Sequence, residues 1–354
     1  MDVKRALASY KEKVDAKLRL FFKKNRENVI SVAGEPALEM LDVLEDYTLR
    51  GGKRLRPALV YYGYKCFNEN PPDAVIDASM SIELVQSFLL IHDDIIDRDD
   101  SRRGGPTVHK YYRELSAYTG IDKNHFGISM ALVLGDIAVA LGIDILTGLP
   151  FEPDRKLRAI SVLSQTIHRV IYGETLDVIS QYKHSVNEHD VMLTHKLKTS
   201  TYTVEAPLHI GALLAGASDS ELSVLTDYAI PIGQAFQLQD DILGMFGTEE
   251  KLGKPVGSDL REGKKTMLIV KALEKATPVQ KQMLLNVLGK PNVSVDEVEK
   301  VRKLIIDTGS LGYSKRLASR LVTKAKNAIL DAPLLDEGKE FLLSLADYLV
   351  QREY

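Results

Sequence analysis

The chain has 354 residues, 45% of them hydrophobic and 27% charged, with a formal net charge of -3 and a pI near 6.3. That length and apolar share are enough for a sizeable core and exclude a disordered chain, while lysines dispersed among acids leave no broad basic field for nucleic acid. A single cysteine, Cys66, excludes an internal disulfide and a multi-thiolate metal site; it reads as a small buried hydrophobe in a reducing, cytoplasmic compartment.

In chain order, residues 1–25 mix charged and apolar residues without the uninterrupted apolar run of a signal peptide, and predict an amphipathic surface helix. Apolar residues then recur at three- and four-residue spacing almost throughout, with no convincing alternating strand pattern. This predicts an all-α chain with helices near 36–49, 57–67, 73–98, 127–146, 154–182, 191–217 and 221–246, and shorter ones after Lys265. Breaks fall at 68–73, 103–124, 147–153, 247–264 and 277–279, each marked by glycine, proline or a polar cluster. Ser218 with Glu221, and Ser294 with Glu297, have the spacing of capping boxes. No apolar stretch reaches the roughly 18 residues of a membrane span. The nearest, 128–145, is interrupted by Asp136 and Asp144, so no transmembrane segment is expected. The central helices exceed the usual length of about 11 to 12 residues. They predict a single domain over 1–354, a large bundle around a deep central cavity, with a motif-bearing core at about 49–265 and C-terminal helices at 266–354.

Residues 93–105 read Asp-Asp-Ile-Ile-Asp-Arg-Asp-Asp-Ser-Arg-Arg-Gly-Gly and set five carboxylates against a paired arginine. On a helix, Asp93 and Asp97 lie one turn apart on one face, where like charges repel by a few tenths of a kcal/mol and a bound cation removes the penalty. A second acidic pair, Asp240 and Asp241, ends another long helical pattern. A lone acidic pair is most often a solvated helix end, so the weight falls on the combination with basic motifs. Hard oxygen ligands select magnesium or manganese over zinc, and magnesium usually takes one or two carboxylates plus substrate phosphates, which points to a phosphorylated substrate.

Gly51-Gly52-Lys53-Arg54-Leu55-Arg56-Pro57 places three cations beside two glycines that let the backbone approach an anion. Arg54 and Arg56 read equally as surface charges flanking a helix start at Pro57. Arg102-Arg103-Gly104-Gly105 is a second such group, and guanidinium forks match phosphate oxygens in a bidentate way. Segment 247–264 adds Lys254 and Lys264, but five residues separate Gly257 from Gly263 and Lys265 stands where a P-loop has Ser or Thr. His-Glu-x-x-His and Gly-x-Ser-x-Gly are both missing, which removes zinc-hydrolase and serine-hydrolase readings.

In these motifs and in their order over about 49–265, the chain resembles the trans-type isoprenyl diphosphate synthases of the polyprenyl synthetase family, particularly archaeal short-chain geranylgeranyl and farnesyl diphosphate synthases. The resemblance implies an all-α fold with a central cavity, two aspartate-rich motifs at its mouth and usually a homodimer. It implies that Asp93 and Asp97 bind magnesium bridging an allylic diphosphate, and that Asp240 completes a cluster of three ions, with manganese as the alternative metal. Arg102 would hold the allylic diphosphate, and Lys198, Lys254 and Lys264 would neutralise it. Isopentenyl diphosphate would be held by Lys53, Arg56, Gln86 and Arg103. Thr199 and Gln237 match family positions whose oxygens lie near a developing carbocation; taken alone they are ordinary helix polarity. Segments 135–136 and 173–177 also match. Two departures stand out: Gly244 replaces the last aspartate of the second motif, so that a water is expected in its role, and Glu174 stands where glutamine is common.

The implied reaction is head-to-tail condensation of isopentenyl diphosphate with an allylic diphosphate. Phe88 and Leu89 precede Asp93 by five and four residues, roughly 7.5 and 6 Å along the helix axis. By the family rule, an aromatic at the first position and none at the second implies a C20 product, geranylgeranyl diphosphate, accompanied by C15 farnesyl diphosphate. Helix projection puts Leu89 nearer the aspartate face than Phe88, so geometry alone leaves that rule open. Three rivals are a terpene or squalene synthase-like enzyme, expected to lack the isopentenyl diphosphate clamp; a non-catalytic subunit of a heteromeric prenyltransferase, expected to have lost the first aspartate motif; and an HD-type phosphohydrolase built on His92-Asp93, which needs further ligands such as His168 and His195.

Overall fold

The computed structural model describes residues 1–115, 122–247 and 257–350. They are almost wholly helical, with one two-stranded antiparallel ladder, β1 (Ser101–Arg102) with β2 (Gly105–Pro106). The all-α expectation holds. The chain divides into two compact units, one comprising Met1–Leu163 with Pro207–Ala217 and the other Ser164–Ala206 with the chain from Ser218 onward.

The first unit contains α1 (Val3–Ala33), α2 (Glu35–Leu49), α3 (Leu55–Lys65), α4 (Ala74–Ile96), α5 (Val108–Glu114), α6 (Lys123–Thr147) and the start of α7 (Pro153–Tyr182). Helix α1 outruns its expected end and buries Val3, Leu7, Tyr10, Val14, Leu18 and Phe22, a stripe at three- and four-residue spacing. Helix α5 falls inside an expected break. Helix α4 is buried on nearly every side from Ala74 to Phe88, as befits the central helix of a layer. It packs against α6, where Gly135 faces the ring of His92 so closely that any side chain there would collide with it. Both α4 and α6 are by length and composition apolar enough to cross a membrane, a test that core helices also pass. Most of α4 is inside the protein, whereas about two thirds of the apolar stretch of α6 is not. Cys66 is fully buried, as expected.

The second unit is organised on α10 (Asp219–Phe246), followed by α11 (Ser258–Glu262), α12 (Met267–Lys275), α13 (Pro278–Val287), α14 (Val295–Asp307), α15 (Ser310–Leu330) and α16 (Asp336–Val350). The capping boxes at Ser218 and Ser294 form, and two more appear at Asn187 with Asp190 and Thr277 with Gln280. The expected continuous helix over 191–217 is instead α8 (Glu188–Thr194), a π-helical stretch (His195–Glu205) and α9 (Ala206–Ala215), which belongs from Pro207 onward to the first unit. Hydroxyl side chains in the middle stretch compete for backbone carbonyls: Ser200 Oγ donates to His195 O at 3.2 Å and Thr201 Oγ1 to Leu197 O at 2.8 Å. Such widened turns recur at functional sites.

Arg54 shapes the loop that leads into α3. It is the residue before that helix and adopts φ 50°, in the left-handed region that disfavours a side chain. What holds it is its guanidinium, which donates to Asp15 Oδ1 of α1 at 2.7 Å, to Glu83 of α4, and to the Thr48 carbonyl of α2 at 2.9 Å. Arg54 is 3% exposed and Glu83 5%, so this is an internal strut and not the surface charge one reading allowed. Removing one partner from such a pair leaves the other charge buried alone. Arg54→Leu is therefore expected to lose about 3–5 kcal/mol in urea unfolding followed by circular dichroism; a loss below about 1 kcal/mol, the range of exposed pairs, would contradict this role.

Candidate active site

The acidic end of α4 is built around Arg102. Asp93 and Asp97 are partly exposed, with Asp97 forming the C-cap of the helix. Asp94, one residue along, turns inward and is fully buried. Its carboxylate accepts a hydrogen bond from Tyr47 Oη at 2.6 Å and one from Arg102 Nε. The remaining guanidinium edge of Arg102 lies 3.5 Å from Asp93 and 3.4 Å from Asp99. Burial pushes the Asp94 carboxyl up to about 6, against the downward pull of Arg102 and Tyr47. Burial alone would lower the guanidinium of Arg102, but the attraction of Asp94 beside it holds it above its ordinary value. Both therefore stay charged at neutral pH.

The adjacent ladder turns the chain so that Arg103, with φ 52°, points away from Arg102's partners. Its guanidinium covers Gly52, its nearest atoms 3.4 Å from the position a Cβ there would take, and it donates to the Arg50 carbonyl at 3.2 Å. Desolvation, reinforced by the neighbouring charges of Arg54 and Arg56, holds Arg103 below the usual arginine range. Arg103 and the Gly51–Arg56 loop are thus brought together as a positive surface. Lys53 is exposed at the tip of that loop, Arg56 is partly buried, and Gln86 is buried in α4 two turns before Asp93.

Within the second unit, the π-helical stretch carries Lys198 and Thr199. Gly173 of α7 permits the backbone at Lys198 to come closer than any side chain would allow. Lys198 Nζ then pairs with Glu174 at 2.6 Å and Asp177 at 2.8 Å. Thr199 Oγ1 donates to Gln237 Oε1 at 2.7 Å, and Gln237 Nε2 donates to Asp241 Oδ1 at 2.8 Å. The other oxygen of Asp241 lies 3.3 Å from His195 Nε2. Asp240, the neighbour of Asp241, is partly exposed on α10. Lys264 pairs with Glu262 at 2.5 Å, and Lys254 lies outside the described residues.

Phe88 is 8% exposed and meets His92 edge-to-face with ring centroids 4.8 Å apart. His92 Nε2 lies 3.2 Å from the Leu132 carbonyl of α6, a partly exposed structural contact that occupies this nitrogen and argues against a metal role in an HD-type site. Leu89 is partly buried.

Among the described residues, no three His, Cys, Asp or Glu side chains converge as a closed metal cage. The donor set still suits magnesium, because that ion is commonly bound by one or two carboxylates and completes its shell with substrate phosphate and water. Asp93, Asp97 and Asp240 offer hard oxygens at least partly open to solvent. Asp94 and Tyr47 are positioning groups to which sequence reasoning gave no role, and Asp177 entered it only as the end of a matching segment. Asp94 was signalled by its place on the buried face of α4, one turn after Ile91; Tyr47 and Asp177 lie 55 and 21 residues from the arginine and lysine they help to place, and no local spacing announces them.

The sequence model of the polyprenyl synthetase family matches residues 38–305. A geranylgeranyl diphosphate synthase of Methanosarcina mazei is 37% identical over 86% of this chain and 87% of its own length. A geranylfarnesyl diphosphate synthase of Aeropyrum pernix is 34% identical over 85% of this chain and 91% of its own. The crystal structure of a Corynebacterium glutamicum geranylgeranyl pyrophosphate synthase, complexed with isoprenyl diphosphate and magnesium, is similar with a TM-score of 0.91 and 30% identity, covering 100% of both chains. With its aspartate-rich helix ends, flanking arginines and all-α fold, the chain belongs to the polyprenyl synthetase family.

Proposed function

We propose that the protein is a magnesium-dependent trans-isoprenyl diphosphate synthase that condenses isopentenyl diphosphate with an allylic diphosphate to give a C20 product with some C15. The observation that carries this reading is the end of α4, where partly exposed carboxylates and a guanidinium fixed 3.5 Å from Asp93 adjoin a second positive surface made by Arg103 and the Gly51–Arg56 loop. Two cationic patches beside one metal-type carboxylate pair suit a reaction with two diphosphate substrates.

In this reading Asp93, Asp97 and Asp240 bind three magnesium ions, with manganese able to substitute. Arg102 holds the allylic diphosphate, and Lys198, Lys254 and Lys264 add positive charge. Lys53, Arg56, Gln86 and Arg103 hold isopentenyl diphosphate. The metal supplies Lewis-acid stabilisation of the departing pyrophosphate. The chain contributes fixed charges, set in place by buried partners before substrate arrives, and these need little reorganisation as negative charge develops. Thr199 and Gln237 turn carbonyl and hydroxyl oxygens toward the allylic cation, Gln237 being oriented by Asp241. The new carbon–carbon bond forms from the double bond of isopentenyl diphosphate, and loss of a proton restores an allylic product. No side-chain nucleophile is required.

We further propose a homodimer formed over α6, where Ile128, Leu132, Val133 and Ile137 form an exposed apolar face of the kind that marks association surfaces. The chain would act as one functional domain in the cytoplasm, in keeping with its single buried thiol.

Purified protein given magnesium, isopentenyl diphosphate and each allylic starter in turn is expected to yield geranylgeranyl diphosphate as the main product, identified by chromatography after dephosphorylation. No chain elongation with any starter would refute the proposal. Alanine at both Asp93 and Asp97 should lower turnover at least about a hundredfold with the thermal unfolding midpoint retained; substantial turnover would remove them from metal binding. Phe88→Ala should shift the products to longer chains, and an unchanged distribution would show that this ring does not set length.

A further inference from the structure

His195 opens the π-helical stretch and is buried, with its imidazole turned toward Asp241 of α10. Four residues separate His195 from Thr199 on that stretch, and four separate Gln237 from Asp241 on α10. The two pairs meet in antiparallel order. Thr199 Oγ1 donates to Gln237 Oε1 at 2.7 Å, Gln237 Nε2 donates to Asp241 Oδ1 at 2.8 Å, and His195 Nε2 stands 3.3 Å from Asp241 Oδ2. Gly233, one turn before Gln237, lets the two elements come this close: a Cβ there would fall 2.4 Å from Ser200 Cα. Ser200 Oγ donates back to the His195 carbonyl at 3.2 Å, which ties the backbone of His195 to the same turn.

The direction of these bonds is set from the Asp241 end. A carboxylate accepts hydrogen bonds and donates none, so Gln237 must present its NH2 group to Asp241. Its carbonyl is thereby turned to Thr199, and the Thr199 hydrogen is committed to that carbonyl, which leaves the hydroxyl lone pairs for an electron-poor ligand. With the carboxylate swung aside, the amide is free to flip and put N–H groups where an oxygen stood. A donor there repels the cation that an acceptor attracts. Asp241 holds the amide only as firmly as it is held itself. Its Oδ2 is shut off from solvent and has no aligned hydrogen bond, and His195 Nδ1 is in the same position. The Nε2 of His195 is the donor facing this oxygen, and contacts of this kind commonly tighten once substrate is bound.

We propose that His195 is a positioning residue for the condensation, holding Asp241 so that Gln237 keeps its carbonyl, and Thr199 its oxygen, toward the developing allylic cation. It acts through Asp241 and Gln237 and not on the diphosphate or its metal. This inference rests on the synthase reading and deepens it at one residue.

Steady-state turnover of the full chain with magnesium, isopentenyl diphosphate and an allylic diphosphate, measured as a double-mutant cycle, tests it. His195→Leu should lower kcat about tenfold, the rate equivalent of one hydrogen bond to a charged group. The KM of both substrates and the magnesium-dependent binding of inorganic pyrophosphate should be unchanged. His195→Gln should recover most of the rate, because its amide nitrogen lies the same number of bonds from the backbone as Nε2. In a Gln237→Leu background, where no amide is left to orient, His195→Leu should lower kcat no further. An unchanged kcat in His195→Leu, no recovery in His195→Gln, a full additional loss in the double variant, or a loss carried by KM or pyrophosphate binding would each overturn the inference and leave the synthase reading standing. Should His195→Leu unfold early in thermal melts, His195→Met, which has the length of glutamine without the donor, takes its place with the same expectations. Absence of condensation by the unaltered protein would instead remove the synthase reading, and this inference with it.

Discussion

A guanidinium clamped by carboxylates is what the acidic end of α4 depends on. Arg102 is fixed through Asp94, whose carboxylate is fully buried and also bonded to Tyr47. An ionised carboxylate in that position is costly by itself, and a lone buried guanidinium equally so. Together they cancel most of that cost and freeze the rotamer of a side chain that is otherwise rich in conformational entropy. The consequence reaches Asp93, because the far edge of the same guanidinium faces it. In the proposed synthase, a cationic site for phosphate and a carboxylate site for a metal would thus be set at a fixed separation before either ligand arrives.

The same logic explains the backbone strain nearby. Arg54, Arg98 and Arg103 have φ of 50°, 59° and 52°, conformations that cost of order 1–3 kcal/mol where nothing compensates. For Arg54 the compensation is visible in its three partners on three different helices. Arg103 is held by the Arg50 carbonyl and by its contact with Gly52. Arg98 ends α4, where a left-handed residue after the cap is common. Buried charge at one arginine therefore holds the loop on which the next must act.

Much of this was legible in the sequence, and the failures have physical causes. Helix periodicity, the two capping boxes and the aspartate-bearing ends of α4 and α10 all follow from local spacing, and local spacing is what a sequence displays. The π-helical stretch was not legible, because its apolar pattern differs little from that of an α-helix, and its wider turn depends on hydroxyls bonding back to carbonyls and on packing against Gly173. Arg54 looked like a phosphate ligand or a surface charge because its counterions, Asp15 and Glu83, lie 39 and 29 residues away. Asp259 comes beside Gly244 only once the chain has turned back through Gly257, a neighbour that no local spacing announces.

Charge is balanced differently in the two units, and the difference bears on how diphosphate would be received. At Arg102 the positive group keeps a fixed partner, Asp94, which is wholly inside the protein and has no reason to let go. Lys198 is instead held by Glu174 and Asp177, both only partly buried. In the proposed synthase an arriving diphosphate would compete with these two carboxylates for the ammonium, and Glu174, in place of the neutral amide common at that position, would make the competition harder. It also keeps a flexible four-carbon side chain aimed in one direction, which lowers the entropy lost on binding. Two carboxylates pair with this one ammonium, and a divalent cation arriving with the diphosphate would offset the negative charge they add. In the proposed synthase Glu174 would then weaken metal-independent binding more than metal-dependent binding, so a change that looks unfavourable for holding an anion would make the site more dependent on the accompanying ion.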